Sequence, residues 1–261
     1  MFKRVRFLII GERCLDRFVY GNCDRLCPEA PVPVFVPIQN VENSGMAANV
    51  SANLSSIIRS NDRDYIVSEA FSDEFSIKTR YVDSKSNHIF LRIDEHDSSY
   101  KSIKIDDLLI SKVKDADVIL ISDYNKGYLS EDDVINLLRF KKHDSVVIMD
   151  TKKIISKDLL IVVNYFKLNN QEYQNNSNNI PLLLDEYKSK IIVTMGSKGT
   201  KYMDEIYDVE VQQTIDVSGA GDTFLASLGY CLGIKKTISE SIIFANQMAS
   251  LVVNKRGVSI V

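Results

Sequence analysis

Five short apolar runs constrain this 261-residue chain more than any other feature. They are "VRFLIIG" (5–11), "ADVILISDY" (116–124), "SVVIMD" (145–150), "LLIVVNYFKLN" (159–169) and "KIIVTMG" (190–196). Each is continuously apolar rather than alternating, so a strand built from it buries both faces. That is the mark of a mostly parallel sheet with helices on either side. The segments between the runs have helical periodicity. Residues 46–59 place Ala47, Val50, Leu54, Ile57 and Ile58 on one face. The run 129–140 opens with a capping pair, Ser130 and Asp133. Two further helices are expected over 219–233 and 237–254. The reading is a three-layer α/β fold.

Two stretches depart from that rhythm. Four of the five prolines fall in "CPEAPVPVFVP", 27–37. Proline gives a ladder no donor, so this is an edge strand or an extended arm. "SIKTRYVD" (76–83) and "NHIFLRIDE" (87–95) predict paired strands turning at Ser86-Asn87. Together these suggest one domain, 1–261, with a small β lid from segments of about 12–40 and 76–96. The lid either covers a site or contacts another subunit, and a homodimer through the Pro-Val arm or lid is expected. "NNQEYQNNSNN" (169–179) reads as a surface loop.

A net charge of −3 gives no footprint for nucleic acid. No apolar run approaches the roughly 18 residues of a membrane span, and the basic start with four apolar residues reads as a first strand rather than a signal peptide. A cytoplasmic address is therefore expected. Cys14, Cys23, Cys27 and Cys231 lack metal-site spacing and read as reduced thiols, and three scattered histidines offer no metal site.

The string "DVSGAGDTF" (216–224) carries the chemistry. Unpaired N–H groups at a helix start, with the helix dipole, favour an anion. Gly219 and Gly221 let the backbone turn tightly and let that anion approach, so the amides of Gly219, Ala220 and Gly221 form an anion hole. Asp222 in the first turn is placed to take a proton from an attacking hydroxyl. Read from the residues alone, it is equally a plain helix-terminus carboxylate. Neither a Walker A nor a G-x-G-x-x-G pattern is present.

The whole string resembles the signature of the PfkB, or ribokinase-like, carbohydrate kinases. Other stretches are similar to the heptose-7-phosphate kinase domain of bifunctional lipopolysaccharide-heptose enzymes. They include "GERCLDRFVYGNCDRLCPEAPVPVF", "KTRYVDSKSNHIFLRIDE", "ADVILISDYNKGYLS", "KLNNQEY", "IIVTMGSKG" and "FANQMASLVVNKRG". The resemblance implies a ribokinase-like fold and phosphoryl transfer from ATP with Mg²⁺ to a sugar hydroxyl, Asp222 being the base. It implies that Asp16, Gly45 and Asn49 bind sugar hydroxyls. Arg92, Asp123 and Lys126 would lie near the sugar or its phosphate, two cations suiting a dianion. Asn169 and Glu172 would organise Mg²⁺ through water. Thr194, Gly196 and Gly199 would line the nucleotide path, with Asn246 by the adenine. Several members hold a monovalent cation such as K⁺ beside the anion hole, where Asp216 matches. Plainer roles stand beside these: Arg92 pairing with Asp94 or Glu95, Lys126 as a solvated lysine, Asn169 as one of many loop asparagines, Asn246 in helix packing.

The chain departs from that pattern at four places. Glu12 stands where the family has Asp, and Met46 replaces a glycine in "NSGMAAN". A strand–helix–strand unit is reduced to "RSNDRDYIVSEAFSDEFSI", and no H-x-G-H run occurs, so nucleotidyl transfer is not expected of this chain. A kinase for a different sugar, or a protein that binds sugar phosphate or nucleotide without turnover, remains compatible with these differences.

Overall fold

The computed structural model describes residues 4–60, 64–97, 100–178, 185–210, 216–255 and 257–261. Its order begins β1 (Val5–Leu26), β2 (Pro33–Met46), α1 (Ala47–Arg59), β3 (Tyr65–Asp83), β4 (Ile89–Glu95), α2 (Asp107–Asp115), β5 (Val118–Asp123) and α3 (Glu131–Leu138). It continues β6 (Val146–Thr151), α4 (Lys157–Val162), β7 (Tyr165–Asn169), α5 (Asn170–Asn175), α6 (Asp185–Lys188), β8 (Ile191–Thr194), β9 (Thr200–Tyr202), β10 (Glu205–Tyr207), α7 (Ala220–Gly233) and α8 (Ile238–Val253).

The expected apolar runs form the centre of one sheet, ordered β10-β9-β8-β7-β6-β5-β1-β3-β4, with β2 paired to β1. Pairing is parallel from β3 through β1, β5, β6 and β7 to β8 and antiparallel at the margins. Alternate residues of these strands feed two separate cores. Leu8, Ile10, Ile119, Ile121, Val147 and Met149 pack with side chains of α2, α3 and α4. Phe7, Ile9, Val118, Leu120 and Ile148 pack with α1, α7 and α8. Both faces are covered, which is why these runs show no polar alternation.

β1 does not stop at Gly11 as the apolar run suggests; it continues for 22 residues. Its inner part pairs with β5 and the start of β3. Beyond a register break between Gly11 and Arg13 it pairs in parallel with the rest of β3 and antiparallel with β2. A Cβ at Gly11 would lie 2.0 Å from the Ser122 carbonyl oxygen, so only glycine lets β1 and β5 approach here. The proline-rich segment is an edge strand, as expected, paired on one side only. β3 is one 19-residue strand, Tyr65–Asp83. It pairs with β4 across the turn at Asn87, whose φ is 63°.

Two readings are corrected. The Asn-rich stretch is not a loop: Asn169 caps α5, its Oδ1 accepting from Glu172 N at 2.9 Å, while Glu172 Oε2 accepts from Asn169 N at 2.7 Å. This reciprocal capping box starts a helix that composition alone conceals. Residue 179 lies outside the described residues. The run 159–169 is likewise α4, capped by Ser156, then a turn and β7. All four cysteines are free, as expected.

Candidate active site

Asp222 is the third residue of α7, whose N-cap Gly219 is left-handed at φ 83°. A side chain at Gly219 would also press on Asn49, with a Cβ 2.8 Å from its amide nitrogen. Asp222 is 4% exposed. Asn49 Nδ2, on α1, donates to Asp222 Oδ2 at 2.9 Å. The Tyr124 hydroxyl, just beyond β5, donates to Oδ1 at 3.0 Å. Asn53 Nδ2 donates to Asn49 Oδ1 at 3.0 Å, which fixes the Asn49 amide with its NH₂ toward Asp222. Burial pushes the Asp222 carboxyl up to about 6 against the Asn49 hydrogen bond, with Asp150 raising it and Lys167 and Tyr124 lowering it. A carboxylate so poised is ionised at neutral pH yet still basic.

A buried cation sits beneath the glycine turn. Lys167, in the middle of β7, is 4% exposed and donates to Asp150 Oδ2 at 2.6 Å. Its Nζ lies 3.0 Å from where a Gly221 Cβ would stand, so Gly221 leaves room for the ammonium as well as for an anion. Burial alone would lower Lys167, but the charge and hydrogen bond of Asp150 raise it, so it remains a cation. Positive charge at the turn thus comes from a side chain as well as from the helix dipole.

From Ala220 and Gly221 a cavity of about 200 Å³ runs along α7 and α8, lined by Thr194, Gly196, Gly199, Phe224 and Asn246 among others. The structure therefore brings Thr194, Gly196, Gly199 and Asn246 together with Ala220 and Gly221 of the glycine turn. The Asn246 amide is fully occupied, accepting from Thr200 Oγ1 at 2.7 Å and donating to the Tyr207 carbonyl at 3.0 Å, so it shapes the wall. Thr194 Oγ1 donates to the Leu168 carbonyl at 3.3 Å. Asp216 accepts from Ser218 N at 2.8 Å and Gly257 N at 3.2 Å, tying the approach to α7 to the last segment.

Glu172 is buried, and burial followed by the like charge of Asp150 raises its carboxyl. That excess of buried acid fits a hard cation, and among the described residues no cluster of three or more His, Cys, Asp or Glu would hold one alone. Such a site matches Mg²⁺ carried in with phosphates and waters.

The acceptor residues are placed less uniformly. Asp16 is buried and ion-paired with Arg80 at 2.5 Å, and a Cβ at Gly45 would stand 2.1 Å from its Oδ2. Gly45 thus backs onto Asp16, and Asn49, four residues further on, bonds Asp222. Arg92 lies on exposed β4 and forks onto Asp94 at 2.7 and 2.8 Å. Asp123 is spent on Lys153 at 2.8 and 2.9 Å, Thr151 at 2.7 Å and Asn125 N at 3.0 Å. Lys126 pairs with Asp97 at 2.6 Å. All three have a local partner and none bonds to Asp222.

The model of the pfkB family carbohydrate kinases matches residues 73–261, well over half of the chain. The chain belongs to that family. The Asp222 turn sits inside the matched region. The chain is 32% identical over 301 residues to the bifunctional protein HldE of Campylobacter curvus, covering 98% of this chain and 63% of the relative. It is 31% identical to the Campylobacter fetus HldE, covering 97% and 64%. The chain thus spans less than two thirds of these relatives. Among solved structures, Thermotoga maritima ribokinase superposes with a TM-score of 0.66 at 17% identity, covering 97% of this chain and 94% of that one. Escherichia coli phosphofructokinase-2, solved with potassium, gives 0.67 at 13%, covering 98% and 94%. These establish the ribokinase-like fold.

Within that family frame the sequence reading missed Tyr124, Lys167 and Arg80. Tyr124 follows Asp123 in "SDYNKG", and Lys167 precedes Asn169 by two residues, hence on the same side of β7. Arg80 lies directly opposite Arg92 in the β3–β4 register, so two arginines competed for one role.

Proposed function

We propose that this chain transfers the γ-phosphoryl group of Mg·ATP to a hydroxyl of a heptose phosphate, in the manner of a heptose-7-phosphate 1-kinase in nucleotide-activated heptose synthesis. The observation that carries the transfer chemistry is Asp222, held by two neutral donors in the first turn of a helix that begins at a left-handed glycine. The likeness to the HldE proteins supports the heptose acceptor.

The expected hole of three amides is reduced, because the Ala220 N–H donates to the Val217 carbonyl at 3.3 Å. In this reading Asp222 takes the acceptor's proton while the amides of Gly219 and Gly221, with Lys167, stabilise negative charge on the transferring group. Asn169 and Glu172 hold Mg²⁺ through water; bound there, the ion neutralises phosphate charge. The outer parts of β1 and β3, with β2 and β4, act as the lid of a single-domain protein and exclude water, a competing acceptor. β2 and β4 expose Val36, Ile38, Ile89 and Leu91, an apolar surface suited to a second copy, so the enzyme works as a homodimer. Asp216 is the candidate for a K⁺ site. No described helix is long and apolar enough to cross a membrane, and we place the enzyme in the cytoplasm.

A different sugar is the second reading. Met46, buried at φ 58° and ψ −135° beside Gly45, fills a position where glycine would sit without strain. ADP formation from ATP measured over heptoses, hexoses and pentoses, each with and without a terminal phosphate, decides between them. Turnover limited to a phosphorylated heptose supports the first reading, and turnover on another sugar the second. Binding without turnover on any of them overturns the kinase assignment.

A further inference from the structure

We infer that Glu12 is a positioning residue for phosphoryl transfer: it holds the segment 124–126 so that the Tyr124 hydroxyl donates to Asp222 and sets the proton affinity of the base. The inference rests on the kinase reading of Asp222 and extends it to two residues outside the glycine turn.

Glu12 occupies the break in the β1–β3 ladder, between Gly11, which pairs with Phe71, and Arg13, which pairs with Phe75. It is fully buried, yet among the described residues its carboxylate has no cation in ion-pair contact. Its two oxygens accept instead from backbone N–H groups across the fold, Oε2 from Tyr124 at 2.8 Å and Oε1 from Lys126 at 3.0 Å. Between those anchors Asn125 takes a left-handed conformation at φ 58°, and Gly127 follows at φ 96°. A segment bent this way needs outside support, and the carboxylate supplies it at both ends. Burying an acid beside Asp123, whose charge also raises it, is costly, and only the bonds it makes offset that. An aspartate is one methylene shorter and cannot span the same pair of amides from this backbone position.

The clamped segment delivers one side chain to the base. Tyr124 is half-buried, and its ring carries the Lys152 ammonium at 4.2 Å and the Lys78 ammonium at 5.6 Å from its centroid. Its hydroxyl then bonds Asp222 Oδ1. Burial and the neighbouring Asp222 charge hold the phenol well above its ordinary value, so it stays a donor wherever the enzyme works. The groups facing Asp222 are Asn49 from α1, Tyr124 from the segment after β5, Asp150 from β6 and Lys167 from β7. Among these, Tyr124 is the one whose bond can be removed by deleting a single oxygen.

The test is a titration of the free protein. With [¹³C]aspartate labelling, the Asp222 carboxyl resonance is identified by its loss in Asp222→Asn and followed against pH. It should titrate near 6 in the wild type. Tyr124→Phe should move it up by about one unit, the size of one lost charge-assisted hydrogen bond. Glu12→Asp should move it in the same direction by less, and the double variant no further than Tyr124→Phe alone. The acid limb of kcat/KM should shift with it. If Tyr124→Phe leaves the titration in place, or if the two substitutions add in full, the inference is wrong. Should Glu12→Asp not fold, Glu12→Gln keeps the length and is read the same way. A shifted titration in a protein that turns over no sugar overturns the kinase reading alone.

Discussion

One short segment, 45–49, serves two buried aspartates that are held in opposite ways. Gly45 at its start backs onto Asp16, and Asn49 at its end bonds Asp222. Asp16 is neutralised by the Arg80 guanidinium at 2.5 Å, itself stacked on Phe18 at 4.9 Å. Asp222 receives only neutral donors and keeps a cation, Lys167, one residue away under Gly221. A carboxylate fixed by a guanidinium is placed to orient a hydroxyl. A buried carboxylate held by amide and phenol, and pushed up by burial, is placed to take a proton. In the function proposed above, holding belongs to the acceptor side of the site and proton transfer to the phosphoryl side.

The largest effect that tests this division is on Asp222. Asp222→Asn should cut kcat by about 10²–10⁴-fold while the Kd for ATP, read by calorimetry, stays within about twofold. A variant that keeps most of its rate would remove the distinction between the two aspartates. Next comes Arg80→Ala, which strands Asp16 without a partner and should cost roughly 3–5 kcal/mol in urea unfolding. Arg92→Ala, on an exposed pair, should cost under about 0.5 kcal/mol by the same measurement. If the two arginines lose equally, Asp16 is not the locked carboxylate described above.

The third effect separates the aspartates by pH. The Asp222 carboxyl rises from 3.8 to about 6 on folding, so its ionisation opposes the folded state. Its stabilising contribution is complete below about pH 4 and is lost as pH climbs through 6. Relative to Asp222→Asn, the wild type should gain roughly 2–3 kcal/mol between pH 8 and pH 4, measured as the difference between their unfolding curves. A constant difference would mean that Asp222 is not strained by burial. A smaller effect is that of Asn169→Ala, which removes the cap of α5 at about 1 kcal/mol. It should raise the KM for Mg·ATP and leave that for the acceptor unchanged, marking Glu172 as belonging to the phosphoryl side.

The phosphoryl side was also the legible side. "DVSGAGDTF" names a turn, an anion hole and an acid because glycine spacing and a helix start are local properties of the chain. The apolar runs placed the sheet for a similar reason: burial on both faces leaves a mark on every residue. The acceptor side depends instead on contacts between residues distant in sequence. Arg80 meets Asp16 across 64 residues and Tyr124 meets Asp222 across 98, and no local pattern announces either. Polar composition concealed α5, and the acidic "SDEFS" inside β3 hid a strand that continues through a three-residue bulge, Ser72 to Glu74.

That bulge bears on how the site opens. β1 and β3 each pass as one continuous strand from the core into the outer sheet, and β2 leads directly into α1. Displacing the outer sheet against the core therefore bends these two paired strands, whose ladder is interrupted where Glu12 sits. The same residue accepts from Tyr124 N, so under the inference above a strain on the outer sheet would be felt at the base.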